Sequence, residues 1–454
     1  MKKFNKFPIP LKHLLMITSL FLVIIAGGCE FQVDFRELVD QFIEQVVPTP
    51  EDTAVPVDSS PAVETTEVEE VITTPTPLSG TVELVLWVPP QFDPEVNSRA
   101  SELFKQRIAE FEETHDDIFV TVRVKSASGA TGLLESLTIT SSAANQGMPS
   151  LVALPRSDLE SAVSRNLLIP FDSYSSAIDE QDWYDYAQNL TVVGANSYGL
   201  PFAGDVLAMV YRSEEIGEFP ATWVEILRRG EPIAFPAADP QSLTTIALYL
   251  SSGGEIEATQ RLPQMDLELL NNLYQLFANG AQSGVFPLWL TELQRDSDAW
   301  TTYNELRSNQ VITWASRYLR DPSEDSTLAL LPAFDNEELV TIADGWVWCL
   351  TDPRVQAHEI SVELAEFLTD AEYLSDWSSE AGVFPVRPST LNTLEDTELK
   401  NLLGELAQIA QIRPTNEIIS IIGLVMEDQL VQILSGKTTA PFAAQAIIDH
   451  IGNP

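Results

Sequence analysis

The sequence is poor in basic residues and in cysteine. Its 454 residues include 25 Lys and Arg against 67 Asp and Glu, which gives a formal net charge of -42. Nucleic acids and anionic membrane surfaces are bound through a positive field, so this composition excludes both kinds of partner. The chain contains only 2 cysteines, which excludes a scaffold built on disulfides.

Residues of the kinds that most often carry catalysis are also scarce. Beyond residue 28 the histidines are His115, His358 and His450, and none has metal-ligand spacing. The chain has no Gly-x-Ser-x-Gly and no His-Glu-x-x-His motif. Ser435-Gly436-Lys437-Thr438 matches only the end of a phosphate-binding loop, and we interpret it as a helix end followed by a turn. We therefore expect no metal and no cofactor.

The N-terminus has the pattern of an export segment. Four lysines precede an apolar run from Leu14 to Ala26, which is shorter than the roughly 20 residues of a membrane-spanning helix. Ile25-Ala26-Gly27-Gly28-Cys29 resembles a bacterial lipobox, in which the cysteine receives a lipid. We predict a signal peptide at 1–28 and anchoring to the cell membrane through lipid on Cys29 alone. The alternative is an ordinary signal peptide that ends near a cysteine.

Residues 29–80 are predicted to form a tether. A short amphipathic stretch is followed, from residue 47 to residue 80, by six prolines, seven acidic residues and no basic or aromatic residue. Such a segment buries too little apolar surface to fold, and proline and like charge favour an extended chain. Removal of residues 1–28 takes away four lysines and no acid, so 21 basic residues then face 67 acidic ones.

Globular patterning begins at residue 81. Strand patterns at Val82–Val88, Ile118–Val124 and Leu151–Leu154 alternate with helical patterns. This β-α-β-α-β order predicts a parallel, doubly wound α/β sheet, whose ligands bind beyond the carboxyl ends of the strands. Later in the chain we predict a strand at Val347–Leu350 and a helix at Glu395–Ile412, among others.

Ten short segments then follow one another in an order that resembles a known family, the extracellular solute-binding proteins of ABC importers, in the maltose-binding-like branch. The segments are Leu84–Trp87, Ala109–Glu112, Gly147–Val152, Asn166–Asp172, Tyr198–Pro201, Pro220–Glu225, Leu328–Pro332, Ala343–Trp346, Ala365–Leu368 and Gly382–Pro385. At Asn416–Gly423, where sugar-binding members often present an aromatic residue, this chain has isoleucines.

The resemblance implies two doubly wound α/β lobes joined by a hinge, in the type II periplasmic-binding-protein-like arrangement. The chain would cross the hinge near Phe202–Asp205, again near Ala329–Phe334 and after Glu380, and the lobes would close on a ligand. The implied divisions are 81–203 and 329–380 for the first lobe, and 204–328 and 381–454 for the second.

The resemblance and the loops after the strands together nominate ligand-binding residues. Asp205 stands where the maltose-binding pattern has a carboxylate that faces the cleft, and Trp346 follows Asp344 in a turn similar to the family's Gly-Gly-aromatic turn. The other candidates lie in or near loops that follow strands; they are Gln91, Phe92, Arg156, Asp158, Trp314, Arg317 and Tyr318. The structural alternatives are core packing for the aromatic residues, as favoured for Trp87 and Trp348, and surface ion pairs for the arginines.

The function implied is a monomeric, extracytoplasmic binding protein that captures a small solute, most readily a carbohydrate, and delivers it to an ABC permease. Two alternatives remain open. One is a surface glycoside-active enzyme that uses Asp205 and Asp344 as paired carboxylates, and the other is a sensory module that retains the fold without transport.

Overall fold

A long strand that runs through the middle of one mixed sheet organises the fold. The structure is a computed structural model that describes residues 80–259, 262–334 and 339–452. The predicted signal peptide, Cys29 and the tether as far as residue 79 lie outside these residues.

The strands in the described residues are short except for two. They are β1 Val82–Val88, β2 Ile118–Val124, β3 Leu151–Pro155, β4 Val192–Val193, β5 Asn196–Ser197, β6 Gly199–Arg212, β7 Ile233–Ala234, β8 Glu257–Thr259, β9 Leu262–Gln264, β10 Gln310–Trp314, β11 Ser326–Ala329, β12 Thr341–Leu350 and β13 Ala410–Ile412.

The α-helices follow most of the strands, as the α/β prediction requires. They are α1 Arg99–Thr114, α2 Leu133–Ala143, α3 Arg156–Ser164, α4 Asp185–Thr191, α5 Ser213–Ile216, α6 Trp223–Arg229, α7 Leu243–Ser251, α8 Leu267–Ser283, α9 Asp296–Asn304, α10 Ala315–Arg320, α11 His358–Phe367, α12 Ala371–Ala381, α13 Thr397–Ile409, α14 Asn416–Leu434 and α15 Ala440–Gly452.

Local sequence explains where these helices begin and end. The Ser98 side chain accepts a hydrogen bond from the Ser101 N–H and so caps α1, whose buried face carries Phe104, Ile108 and Phe111. Helix α14 ends at Leu434, and Gly436 adopts φ 67°, a left-handed conformation that glycine permits. The predicted helix end at Ser435–Thr438 is therefore confirmed.

The sheet has the order β2-β1-β3-β12-β6-β10-β7, with β11 also paired to β6 and β13 to β12. Strands β1, β2 and β3 are parallel, as predicted. Strand β12, which lies outside that β-α-β-α-β segment, runs antiparallel to both β3 and β6 and makes the sheet mixed. The reason is topological: β6 carries the chain away from β1–β3, and β12 returns beside it in the opposite direction.

Strand β6 changes partners along its length. Residues 199–206 pair with β12, whereas residues 207–212 pair with β10 and β11. We call β2-β1-β3-β12 with residues 199–206 the first sheet half, and residues 207–212 with β10, β11 and β7 the second sheet half. The predicted hinge segment Phe202–Asp205 lies in β6 just before this change of partners, and the predicted lobe boundaries remain predictions.

Two further expectations can be compared with the structure. Trp87 and Trp348 are each 2% exposed, so the core interpretation of both is confirmed. The predicted helix Glu395–Ile412 is too long at both ends. Helix α13 occupies Thr397–Ile409, and Ala410–Ile412 instead forms β13 because it pairs with Thr341–Ala343 of β12.

Candidate functional site

A buried arginine lies where the two sheet halves meet. Arg413 follows β13 directly, is 3% exposed, and donates its backbone N–H to the Ala343 carbonyl at 3.0 Å. Its guanidinium donates to Asn416 Oδ1 at 3.0 Å and to Gln241 Oε1 at 3.1 Å. Arg413 therefore connects β12 of the first sheet half to the segment before α7 and to the first residue of α14.

Carboxylates surround this arginine. Asp344 on β12 accepts hydrogen bonds from the backbone N–H groups of Gly345 and Arg156, and burial raises its pKa although Arg413 opposes the shift. Asp158, in the first turn of α3, has a pKa raised to about 6 by burial and then by the charge of Asp344. Burial also raises the pKa of Asp239, and the charge of Arg413 opposes the rise at both Asp158 and Asp239. The charge of one buried arginine thus favours the ionised form of three carboxyl groups.

A polar and aromatic pocket opens beside Arg413 at the ends of β7 and β10. It has a volume of about 540 Å³, and its lining includes Trp314, Asp239, Gln241, Gln294 and Asp296. Thr244, Arg295 and four apolar side chains complete its wall. An aromatic ring combined with carboxylate and amide groups can contact the apolar face of a ligand and bind its hydroxyl groups.

Asp296 fixes the aromatic residue of this pocket. Its Oδ1 accepts the backbone N–H of Trp314 at 3.2 Å and the hydroxyl of Thr313, and its Oδ2 accepts Arg317 Nε at 2.7 Å. Trp314 and Arg317, both nominated from the sequence, are thus brought together. Arg317 forms an ion pair, as its structural alternative requires.

Asp205 belongs to the same region but has a different partner. Its carboxylate accepts the backbone N–H of Ser316 at 3.0 Å and the Ser316 hydroxyl, and it therefore holds the start of α10. Burial raises its pKa to about 7. Asp205 and Asp344 are register partners on β6 and β12, but their hydrogen bonds go to separate groups.

The Asp205 carboxyl makes stability depend on pH. Its folded pKa of about 7 lies above the unfolded value near 3.9, so its contribution is complete below about pH 4 and is lost as the pH rises through 7. We expect Asp205→Asn, which cannot ionise, to be about 2 kcal/mol more stable than the wild type at pH 8 and nearly equal to it at pH 4. Urea unfolding at both pH values measures the difference, and a difference that does not change with pH would contradict the expectation.

Phe92 and Trp346, both nominated from the sequence, contact each other beside the first sheet half. Pro90–Phe92 forms a single 3-10 turn after β1, and Gln91 in this turn is exposed. The buried Phe92 ring meets the half-buried Trp346 ring edge-on, with centroids 5.5 Å apart. The predicted turn at Asp344–Trp346 is wrong, because these residues lie within β12 and pair with β6. Trp346 is two residues after Asp344, on the same side of the strand.

The last two nominated residues, Arg156 and Tyr318, do not line the pocket beside Arg413. Arg156 is 5% exposed, and its Nη1 donates to the carbonyls of Asn189, Leu190 and Val192 at 3.2, 3.0 and 2.6 Å, while Nε contacts Glu160. It holds the end of α4 and is not a surface ion pair. Tyr318 lines a separate cavity beside α12 and α13.

Sequence reasoning missed Arg413, Asp239, Gln241 and Asp296. A usable indication was present for Arg413, because an arginine between Ile412 and Pro414 is unusual in so acidic a chain. Nothing local distinguishes Asp296 from the many other acids. Among the described residues, no three His, Cys, Asp or Glu side chains are grouped as a metal ion would require. In that same part of the chain, no helix has the length and apolar character needed to cross a membrane.

Comparison with solved structures identifies the fold. A cyclic α-maltosyl-1,6-maltose binding protein from Arthrobacter globiformis is 15% identical with a TM-score of 0.68, covering 82% of this chain and 98% of its own. MalE from Xanthomonas citri is 18% identical with a TM-score of 0.64, covering 82% and 96%. The GacH receptor of Streptomyces glaucescens, solved unliganded and with acarbose, is 17% identical with a TM-score of 0.62, covering 82% and 97%. The likeness confirms the predicted type II fold.

Comparison with sequence families identifies the family. A search of curated proteins finds no match to this chain. A family model described as bacterial extracellular solute-binding protein matches residues 106–401, more than half of the chain. The chain therefore belongs to the bacterial extracellular solute-binding proteins, a family that binds solutes outside the cytoplasm rather than transforming them.

Proposed function

We propose that this protein binds a carbohydrate between the two sheet halves and delivers it to an ABC permease. The observation that carries the proposal is the pocket beside Arg413, where Trp314 stands with Asp239, Asp296, Gln241 and Gln294. A sugar ring has an apolar face and a rim of hydroxyl groups, and this pocket supplies a partner for each.

The neighbouring structures support the same ligand class. The GacH receptor was solved with acarbose, and the Arthrobacter globiformis protein binds a cyclic maltosyl-maltose; both ligands are saccharides or saccharide analogues. We propose maltooligosaccharides as the first ligands to try. Delivery to a permease and lipid anchoring through Cys29 are part of the proposal and follow from the family resemblance and the lipobox-like segment. Delivery and anchoring are tested by the growth of a deletion strain on the bound sugar. The strain is compared when it carries the wild-type gene and when it carries the Cys29→Ala variant.

The acid pair of the enzymatic alternative, Asp205 and Asp344, is poorly suited to catalysis. Asp205 accepts two bonds from Ser316, and Asp344 accepts two backbone N–H groups, so both carboxylates already have structural partners. A general acid and a nucleophile both need access to the scissile bond. Incubation of the purified protein with maltohexaose, followed by product chromatography, should show no cleavage.

Binding is tested most directly by calorimetry and thermal shift with maltose through maltohexaose, and with amino acids as comparison ligands. A ligand present at 100 times its Kd should stabilise the folded protein by about 2.7 kcal/mol. Saturable binding of the saccharides alone supports the proposal. Saturable binding of amino acids with none of the saccharides contradicts it.

Trp314→Ala and Trp346→Ala are each expected to raise the Kd for the bound saccharide at least tenfold, about 1.4 kcal/mol. The reason is that each removes an aromatic ring, one from the pocket beside Arg413 and the other from β12 next to Asp344. Calorimetry measures the Kd, and thermal unfolding of the unliganded protein shows whether the fold is intact.

Trp300→Ala is the matched control, because Trp300 is also half-buried but stacks on Tyr303 of its own helix α9 and does not line the pocket beside Arg413. It should leave the Kd unchanged. An unchanged Kd for Trp314→Ala together with a large loss of stability would mean that Trp314 belongs to the core.

A further inference from the structure

A second cavity lies on the first sheet half, apart from the pocket beside Arg413. It is about 670 Å³ in volume and is enclosed by the turn after β1, the start of α1, the end of α11, α12, and strands β6 and β12. Six of its lining residues are aromatic: Phe92, Phe104, Phe202, Trp348, Tyr373 and Trp377.

The aromatic rings are in mutual contact and so form a firm wall. Phe202 stacks on Trp348 with centroids 4.6 Å apart, and Phe92 meets Phe202 edge-on at 5.0 Å. Tyr373 and Trp377 stack at 6.3 Å on α12. The β6–β12 register shifts between Trp346 and Val347, so Phe202 is an extra residue in β6 at this point. Such a bulge re-aims a side chain, and Phe202 lines the cavity.

The cavity has few groups that bind hydroxyls: besides the tryptophan N–H groups, its polar side chains are Gln91, which is exposed, Tyr373 and two serines. None of its lining residues is charged. The Ser98 hydroxyl donates to Ser101 Oγ, and the Ser101 hydroxyl donates to the Asp93 carbonyl, each at 2.9 Å. A sugar buried here would leave hydroxyl groups without partners, which costs free energy. An uncharged apolar ring would bury aromatic surface without that loss.

The cavity also adjoins the saccharide-binding region proposed above. Phe92 lines it and contacts Trp346. Phe92 follows the carboxyl end of β1, and Trp346 pairs with Pro155 at the carboxyl end of β3, and ligands of this fold class bind at such strand ends. We propose that this cavity is a subsite for an apolar ring attached to the sugar, so that the solute is a glycoside with an aromatic or alicyclic aglycone. This inference rests on the proposed carbohydrate function.

Two matched glycosides test the proposal by calorimetry: 4-nitrophenyl maltoside and methyl maltoside. We expect the aryl glycoside to bind at least tenfold more tightly, because its ring occupies the cavity. Ala100 lines the cavity from α1, and Ala100→Leu should reduce the ratio of affinities to near one. Ala109→Leu, on the exposed face of the same helix, should leave the ratio unchanged. Equal affinities in the wild type, or a ratio that Ala100→Leu does not change, would overturn the proposal.

Further arms separate the remaining outcomes. If Ala100→Leu fails to fold, Ala381→Leu fills the cavity from α12 instead. If free 4-nitrophenol binds as tightly as the aryl glycoside, the cavity serves separate apolar molecules and the aglycone assignment is wrong. If neither maltoside binds, the proposed carbohydrate function is wrong. Binding of the neutral fluorescent probe N-phenyl-1-naphthylamine then tests whether the cavity takes an apolar ring. Fluorescence that rises with wild type but not with Ala100→Leu supports an apolar site, and no rise overturns it.

Discussion

Arg413→Met is expected to lower the free energy of unfolding by about 3 kcal/mol at pH 8, because it removes a buried charge and leaves its partners uncompensated. Gln241 and Asn416 lose a hydrogen-bond donor, and Asp344 loses the cation that lowers its pKa. Urea unfolding measures the loss. We also expect saccharide affinity to fall, because Gln241 lines the pocket beside Arg413.

The pH dependence separates this explanation from a simple packing defect. Without Arg413 the pKa values of Asp344 and Asp158 rise further above the unfolded value, so the variant loses additional stability as the pH rises through about 6. Below about pH 4 these carboxyls are protonated in both states, and the deficit should shrink. A deficit that stays constant from pH 4 to pH 8 would contradict the electrostatic role. Arg99→Met, at an exposed ion pair, serves as the control and should change stability by less than about 0.5 kcal/mol.

Arg156→Met is expected to cost about 3 kcal/mol of stability while leaving saccharide affinity within about twofold once folded protein is selected. Its guanidinium is the shared donor to three carbonyls at the end of α4, and its loss removes that donor and the cation paired with Glu160, which keeps only the Asn416 N–H. Calorimetry on the folded fraction and urea unfolding provide the two measurements.

Arg165→Met is the matched control, because Arg165 contacts Glu135 at 3.0 Å on an exposed surface of the adjoining helices. It should leave both quantities nearly unchanged. If Arg156→Met instead abolished binding and spared stability, Arg156 would be a ligand-contacting residue, as the sequence first suggested.

Local patterns sufficed to predict the first strands of the sheet. The apolar run of β3 and the helical spacing of apolar residues in α1 can be recognised within one short segment each. The structure confirms both elements. Helix α12 illustrates what was missed. It contains Glu, Asp and three serines among its eleven residues, and its buried residues Leu374 and Trp377 are too few to stand out as a pattern.

The site was less predictable than the fold because its residues come from distant segments. Asp205 and Trp346 were nominated through family order and remain predictions as ligand-binding residues, whereas Arg413 meets Gln241 only after the chain has folded. The nomination of Arg156 rested on its place after β3. That place was right, but a loop after a strand does not tell whether a side chain points outward or, as here, back to the carbonyls of α4.

The change of partners along β6 has a consequence for how the protein unfolds. Its residues 199–206 complete one half of the sheet and residues 207–212 complete the other, so neither half holds a full set of interstrand bonds without the same continuous strand. Detachment of either half would expose the ladder of the other. The two halves should therefore melt in a single calorimetric transition, and a fragment that ends at residue 203 should not fold alone.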